Sequence, residues 1–138
     1  MDRPPPLSRV LETGLYVDDL TRARSFYEGV LGLCPMRADT RFVAYPVGET
    51  VLLLFRRGAA DASTALPFGG VIPGHDASGR AHFAFAVADV EPWRRHLAAQ
   101  GVAVAGEVRW PKGGVSLYFR DPDGNLAEIA SPGLWDNY

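Results

Sequence analysis

The sequence predicts an α+β protein of two tandem βαβββ modules, whose mixed sheets form a cleft-shaped half-barrel with the helices outside. Three observations predict it. The chain resembles itself: Glu12 to Leu20 and His82 to Val90 align so that Val17 meets Val87, Asp19 meets Asp89 and Leu20 meets Val90, at one offset (87−17 = 89−19 = 90−20 = 70). Each copy is followed by apolar residues at helical spacing, and each helix by three strand-like runs closed by turn signals.

Residues 1–9, with Pro4-Pro5-Pro6, are expected to form a flexible leader. Residues 10–132 form the single domain: module one over 10–57, a linker rich in Ala, Gly, Ser and Pro over 58–80, and module two over 81–132. Residues 133–138 are a C-terminal tail. In module one, Ala23, Phe26, Tyr27, Val30 and Leu31 mark one helix face; in module two Val90, Trp93 and Leu97 do so. Asp19 and Asp89 suit N-caps, Pro92 a first turn, and Gly32 and Gly101 the C-terminal stops. The strand runs are Cys34–Asp39, Thr40–Val47 and Thr50–Arg56, then Ala103–Trp110, Val115–Arg120 and Leu126–Ser131. Gly48-Glu49 and Asp123-Gly124-Asn125 turn the last pair of each set.

At 138 residues and 15.0 kDa, with 47% hydrophobic and 22% charged residues, the chain can bury a core without disulfide staples. Its 14 basic and 16 acidic residues, net charge −2 and pI near 5.9 argue against a phosphate-backbone footprint, so nucleic acid is not an expected partner. The single cysteine, Cys34, cannot close an internal disulfide, and no secretory pattern is present, so a reducing, cytoplasmic setting is expected. The longest strongly apolar run, Val51 to Phe55, is far short of the roughly 18 residues of a membrane span.

Strand alternation assigns the faces. Phe83, Phe85 and Val87 point to a helix and His82, Ala84 and Ala86 to the cleft; by the same parity Thr13, Leu15 and Val17 pack on the first helix, leaving Glu12, Gly14 and Tyr16 inside. Glu12 and His82 thus occupy equivalent first-strand positions (82−12 = 70). Glu128 places a charge on an otherwise apolar strand, and its counterpart counted from the turn glycine is Leu52 (52−48 = 128−124 = 4). Tyr118 shares a strand face with Ser116, and the same count pairs Tyr118 with Phe42 (118−42 = 124−48 = 76), which predicts an aromatic-lined pocket. Trp110 to Gly114 reads as a hairpin turn, or as a flap carrying an indole and an ammonium over the mouth. Arg56-Arg57 and Arg94-Arg95 read as solvated surface, and His75, His96 and Cys34 have no identifiable chemical partner. Neither a phosphate-cradling glycine motif nor CxxC nor GxSxG is present.

Val17-Asp18-Asp19-Leu20, Phe26-Tyr27-Glu28-Gly29-Val30-Leu31-Gly32 and Phe119-Arg120-Asp121-Pro122-Asp123-Gly124-Asn125 with Glu128 resemble the vicinal oxygen chelate superfamily over about Val10 to Pro132. That superfamily includes glyoxalase I, extradiol dioxygenases, thiol transferases acting on fosfomycin, and bleomycin-binding proteins. The resemblance implies metal ligands at Glu12, His82 and Glu128 and a substrate-contacting tyrosine at Tyr118. Two departures stand out: members with three ligands usually show two histidines, so Glu12 is unusual, and glyoxalase I has a fourth ligand where Leu52 stands here.

Two carboxylates and an imidazole suit Mn, Fe, Co, Ni or Zn. Two anionic ligands weaken the ion as a Lewis acid, which favours isomerase, lyase or thiol-transferase chemistry on a small oxygen-rich or carbonyl substrate over dioxygen chemistry. Glu12 alternatively serves as a general base beside a carbonyl. The expected site therefore combines Glu12 and Tyr118 in catalysis, Glu12, His82 and Glu128 on the metal, and Phe42, Leu52, Trp110, Ser116 and Tyr118 around the substrate. A metal-free protein that sequesters an aromatic or cationic drug is the alternative, and buried structural roles for these residues are the plainer one. A homodimer is expected, in which Glu12 of one subunit either completes the site of its own chain or that of the other.

Overall fold

A computed structural model describes residues 3–138, and Met1 and Asp2 of the expected leader lie outside the described residues. In chain order the elements are β1 (Glu12–Val17), α1 (Leu20–Gly29), β2 (Arg37–Ala38), β3 (Phe42–Val47), β4 (Thr50–Arg56), β5 (Thr64–Ala65), β6 (Val71–Ile72), β7 (His82–Ala86), α2 (Glu91–Ala99), β8 (Gly106–Arg109), β9 (Val115–Arg120) and β10 (Leu126–Ala130). They form two compact units. One joins the residues up to Leu20 with Leu33–Ala77, the other Thr21–Gly32 with Ser78–Tyr138. The fold is α+β, as expected, and the repeat is visible in its sheets. The first orders its strands β1-β4-β3-β2 and the second β7-β10-β9-β8. In both, the first strand runs parallel to the last and the remaining pairs are antiparallel. No helix among the described residues is long and apolar enough to cross a membrane.

In the first unit, alternation splits β4 cleanly: Leu52 and Leu54 are buried, while Leu53 and Phe55 are half-buried on the opposite face. Leu15, Val17, Val43 and Tyr45 share the buried side. The expected linker is not structureless. It holds β5 and β6, an antiparallel ribbon closed by Leu66 N–H on the Gly70 carbonyl at 3.0 Å.

The second unit differs from expectation first in the placement of the first helix. Helix α1 turns its aromatic edge to the second sheet, where Tyr27 stacks on Phe83 and Phe26 approaches Phe119, each with ring centroids 6.3 Å apart. Both helices therefore lie with one sheet, and His96 on α2 donates from Nε2 to the Val30 carbonyl at 2.7 Å. His96 is a structural link. Buried Ala23, Tyr27 and Leu31 from α1 and Val90 and Leu97 from α2 join Phe83, Leu117, Phe119, Ala127 and Ile129, each worth about 1.5–3 kcal/mol for a large apolar side chain. The N-cap of α2 is Val90 rather than the expected Asp89, which stands one residue earlier and accepts the Glu91 N–H at 3.0 Å; Gly32 and Gly101 end the helices at φ 72° and 71°. Arg94, expected to be solvated surface, bridges Glu91 on α2 to Glu107 on β8. The C-terminal tail is docked, since the Tyr138 hydroxyl donates toward the carbonyls of Val87 and Ala130, both at 3.0 Å.

The turn from β9 to β10 binds this unit together. Asp121, 5% exposed, accepts through Oδ1 from the N–H groups of Asp123 (3.0 Å) and Asn125 (2.8 Å). Its Oδ2 accepts from the Tyr27 hydroxyl and from Asn125 Nδ2, both at 2.9 Å, and Asn125 Oδ1 accepts from the Ala81 N–H at 2.9 Å. Replacing Asp121 by Ala strands four donors in a dry site and is expected to cost about 3–4 kcal/mol in urea unfolding. Tyr27→Phe, which removes one donor of the four, is expected to cost about 1 kcal/mol.

Candidate functional site

The face of the second sheet opposite the helices carries a directed line of polar groups. Trp110 Nε1 donates to Ser116 Oγ at 2.9 Å, and Ser116 donates to Glu128 Oε2 at 2.5 Å. The other oxygen, Oε1, faces His82 Nε2 at 3.2 Å. His82 Nδ1 lies 3.0 Å from the Leu126 carbonyl, which can only accept, so Nδ1 carries the proton. A neutral ring then points a bare Nε2 lone pair at a carboxylate oxygen. Two acceptors face each other, and only a proton or a cation between them makes the contact favourable.

Register explains the convergence. Glu128 pairs directly with Tyr118 across β9 and β10, and Leu126 with His82 across β10 and β7. Glu128 is 5% exposed, whereas the His82 side chain is about half exposed. Burial first, and the Glu128 charge second, hold the Tyr118 phenol above the ordinary tyrosine range, with a partial counter-pull from Ser116. Tyr118 therefore keeps its proton at neutral pH and presents a donor on this face.

The first unit holds a cavity of about 520 Å³. Phe42, Leu53 and Phe55 form its floor, the ribbon contributes Thr64, Leu66 and Ile72, and Glu12, Arg37 and Arg41 also line it. Its wall includes His75, whose Nδ1 lies 2.5 Å from the Tyr16 hydroxyl and whose ring packs edge-on against Phe55 at 4.6 Å. Burial, and then the charge of Asp76, raise the Tyr16 phenol above its usual range. The segment before His75 is tightly folded: the His75 N–H donates to the Ala60 carbonyl at 2.7 Å, and a Cβ on Gly74 would lie 2.2 Å from the Asp61 carbonyl oxygen.

The structure thus brings His82, Glu128, Tyr118, Ser116 and Trp110 onto one sheet face, and Glu12 with Phe42 onto the cavity of the other unit. Among the described residues, no group of three or more His, Cys, Asp or Glu side chains could hold a metal ion. Leu52 is corrected. It is buried on the other face of β4, with Tyr45 and Thr13 as its register partners, and does not line the cavity. Register matches Glu12 and Val51 to His82 and Leu126, so the counterpart of Glu128 is Leu53 and that of Tyr118 is Ala44, while Phe42 matches Ser116. The count from the turn glycine failed because β3 and β4 are joined through two residues and β9 and β10 through five. Trp110 to Gly114 is a closed hairpin turn, with Trp110 N–H on the Gly114 carbonyl at 2.8 Å, and Lys112 pairs with Asp136 in the tail.

Sequence reasoning missed His75, Arg37 and Arg41. His75 sits in a segment without a repeat counterpart, so no pattern marks it. Arg37 was legible in principle, because its register partner Ala44 pairs with Leu53 and so places it on the cavity face.

The model of the Glyoxalase/Bleomycin resistance protein/Dioxygenase superfamily matches residues 9–129. Among solved structures, the chain is similar to the lactoylglutathione lyase from Agrobacterium tumefaciens, at 36% identity over 96% of this chain and 99% of that one, with a TM-score of 0.86. It is also similar to a glyoxalase-related enzyme from Fulvimarina pelagi, at 25% identity, 94% and 91% coverage and a TM-score of 0.69. An integron cassette protein of V. cholerae, at 24% identity, 94% and 99% coverage and a TM-score of 0.71, shares the fold. A search of the curated proteins finds no match.

The Tyr118 assignment has a direct test in ultraviolet titration. Its phenol is expected to ionise above the ordinary value of about 10, and Glu128→Gln to bring it back toward that value. A folded-state value raised above the unfolded one means stability intact below about pH 10 and lost as pH rises through the folded value. Tyr118→Phe is therefore expected to flatten the fall of the unfolding midpoint in that alkaline window.

Proposed function

Because the chain belongs to the Glyoxalase/Bleomycin resistance protein/Dioxygenase superfamily, we propose that it is a divalent-metal-dependent enzyme of lyase or isomerase type, acting on a small oxygen-rich or carbonyl substrate. The similarity to a lactoylglutathione lyase supports lyase over thiol-transferase chemistry. The observation that carries the reading is the pairing of His82 and Glu128. With Nδ1 committed to the Leu126 carbonyl, the imidazole offers Nε2 to a ligand, and the second carboxylate oxygen is oriented by Ser116, itself held by Trp110. A histidine fixed through a backbone carbonyl beside a hydrogen-bonded carboxylate is the outer-shell arrangement of a metal ligand pair.

In this proposal Glu12, the repeat counterpart of His82, is the third donor and is supplied by a second copy of the chain. An ion such as Mn, Fe, Co, Ni or Zn, when bound, polarises substrate oxygens. The chain's own residues do the rest. Glu128 and His82 set the position, Tyr118 donates a hydrogen bond to a substrate oxygen, and Glu12 has the chemistry of a proton acceptor if it is left off the metal. The alternative of a cationic-drug trap is disfavoured by charge, since the cavity of the first unit has two guanidinium groups in its lining against one carboxylate.

Metal analysis of protein purified without chelators tests the reading. We expect bound divalent ion in the unaltered chain and its loss in His82→Ala and in Glu128→Gln; retention in both variants would sink it. Subunit mixing tests the source of Glu12. Neither Glu12→Gln nor His82→Ala alone should bind metal tightly, but the two mixed and refolded together should recover about a quarter of the sites, because half the dimers then carry one intact site of two. No recovery would place Glu12 and His82 of the same chain at one site, or remove Glu12 from it.

A further inference from the structure

The cavity of the first unit has a composition that neither the metal pair nor the family membership specifies. Its floor is a cluster of rings, with Phe42 and Phe55 centroids 6.2 Å apart and the His75 ring edge-on to Phe55 at 4.6 Å. Its roof is the β5–β6 ribbon, which has no counterpart in the second unit and supplies aliphatic surface through Leu66 and Ile72. Arg41 is fixed by the turn before β3: Asp39 Oδ1 accepts the backbone N–H groups of Arg41 (2.7 Å) and Phe42 (3.1 Å), and Oδ2 meets the Arg41 guanidinium at 3.4 Å. Arg37, on β2 opposite Ala44 of β3, has no carboxylate partner within salt-bridge distance among the described residues.

A guanidinium without a counter-ion beside an aromatic floor is matched by a ligand with a flat apolar body and an anionic end. We infer that the cavity under the β5–β6 ribbon binds an aromatic or alicyclic carboxylate, with its ring on Phe42 and Phe55 and its carboxylate on Arg37 and Arg41. The volume of about 520 Å³ lies within the range of small-molecule sites, roughly 300–1,000 Å³. A cation is the wrong charge for the pair of arginines, and a purely aliphatic neutral would leave them unused. Tyr16 and His75 act as positioning residues: their 2.5 Å hydrogen bond ties the end of the ribbon segment to β1, and so sets the distance between roof and floor. The inference deepens the proposed function, because Glu12 lines the same cavity, but it does not depend on a metal being bound.

Calorimetric titration of the full chain with naphthalene-2-carboxylate and with its uncharged isostere naphthalene-2-carboxamide, each with and without a chelator, tests it. The carboxylate is expected to bind about tenfold tighter than the carboxamide. Arg37→Gln and Arg41→Gln, both at exposed positions that tolerate substitution, should each erase most of that difference while leaving carboxamide binding unchanged. Amide resonances of residues 37–42, 53–55 and 64–75 should shift on titration. Equal affinity for the two compounds, no binding of either, or carboxylate binding indifferent to both arginine variants would overturn the inference. Binding abolished by chelator would also overturn it, since the carboxylate would then sit on the metal. Binding that survives chelator in a protein with no metal affinity leaves this inference standing and sinks only the metal reading.

Discussion

The second unit is organised around the carboxylate of Asp121. A buried anion is tolerated because four donors converge on it, and those donors come from two places in the sequence: the turn itself and α1. Asn125, held by that carboxylate, then reaches the Ala81 N–H at the entry to β7. One side chain thereby fixes where β10 begins, where β7 begins, and which sheet α1 covers. Register follows from those starting points. Leu126 opposite His82 and Glu128 opposite Tyr118 are consequences of the turn, so a residue with no chemistry of its own sets the geometry of the polar face.

Much of this was legible in the sequence, for physical reasons that differ by element. The bounds of β4 and β9 agree with the runs read from alternation, because a strand buried on one face imposes a period of two that a short window reveals. Glu128 was legible as a site candidate because a charge on an otherwise apolar strand demands a partner, and His82 because it is the repeat counterpart of Glu12. What failed were comparisons across turns. Counting from a glycine assumes equal connections, and the five residues from Asp121 to Asn125 break that assumption, so Leu52 was assigned in place of Leu53. The allegiance of α1 failed for another reason. Phe26 and Tyr27 give it an apolar face, but periodicity says only that a face exists, and the Tyr27 hydroxyl, which chooses Asp121, lies outside any local pattern.

The repeat accordingly preserves a frame and lets the two sheets diverge in content. At equivalent register positions the first sheet has Leu53, Ala44 and Phe42 where the second has Glu128, Tyr118 and Ser116. The first has become an apolar floor with guanidinium groups beside it, roofed by a ribbon that the other copy lacks. The second has become a line of hydrogen bonds. Glu12 and His82 are an equivalent pair on the first strands of the two sheets, where both copies retain a group able to donate a lone pair to a metal.

Direction along that line of hydrogen bonds decides what it can do. Indole N–H, hydroxyl and carboxylate run Trp110 to Ser116 to Glu128 with every donor used, and the Leu126 carbonyl claims the one proton of a neutral His82 ring. A proton and a divalent cation compete for the same pair of lone pairs, and each excludes the other. Substituting Ser116 or Trp110 would leave both ligands in place yet free the carboxylate to rotate, and the pair would lose its selectivity for an ion through orientation alone. The residues that cannot touch a metal are thus the ones that determine whether the two that can are presented to it.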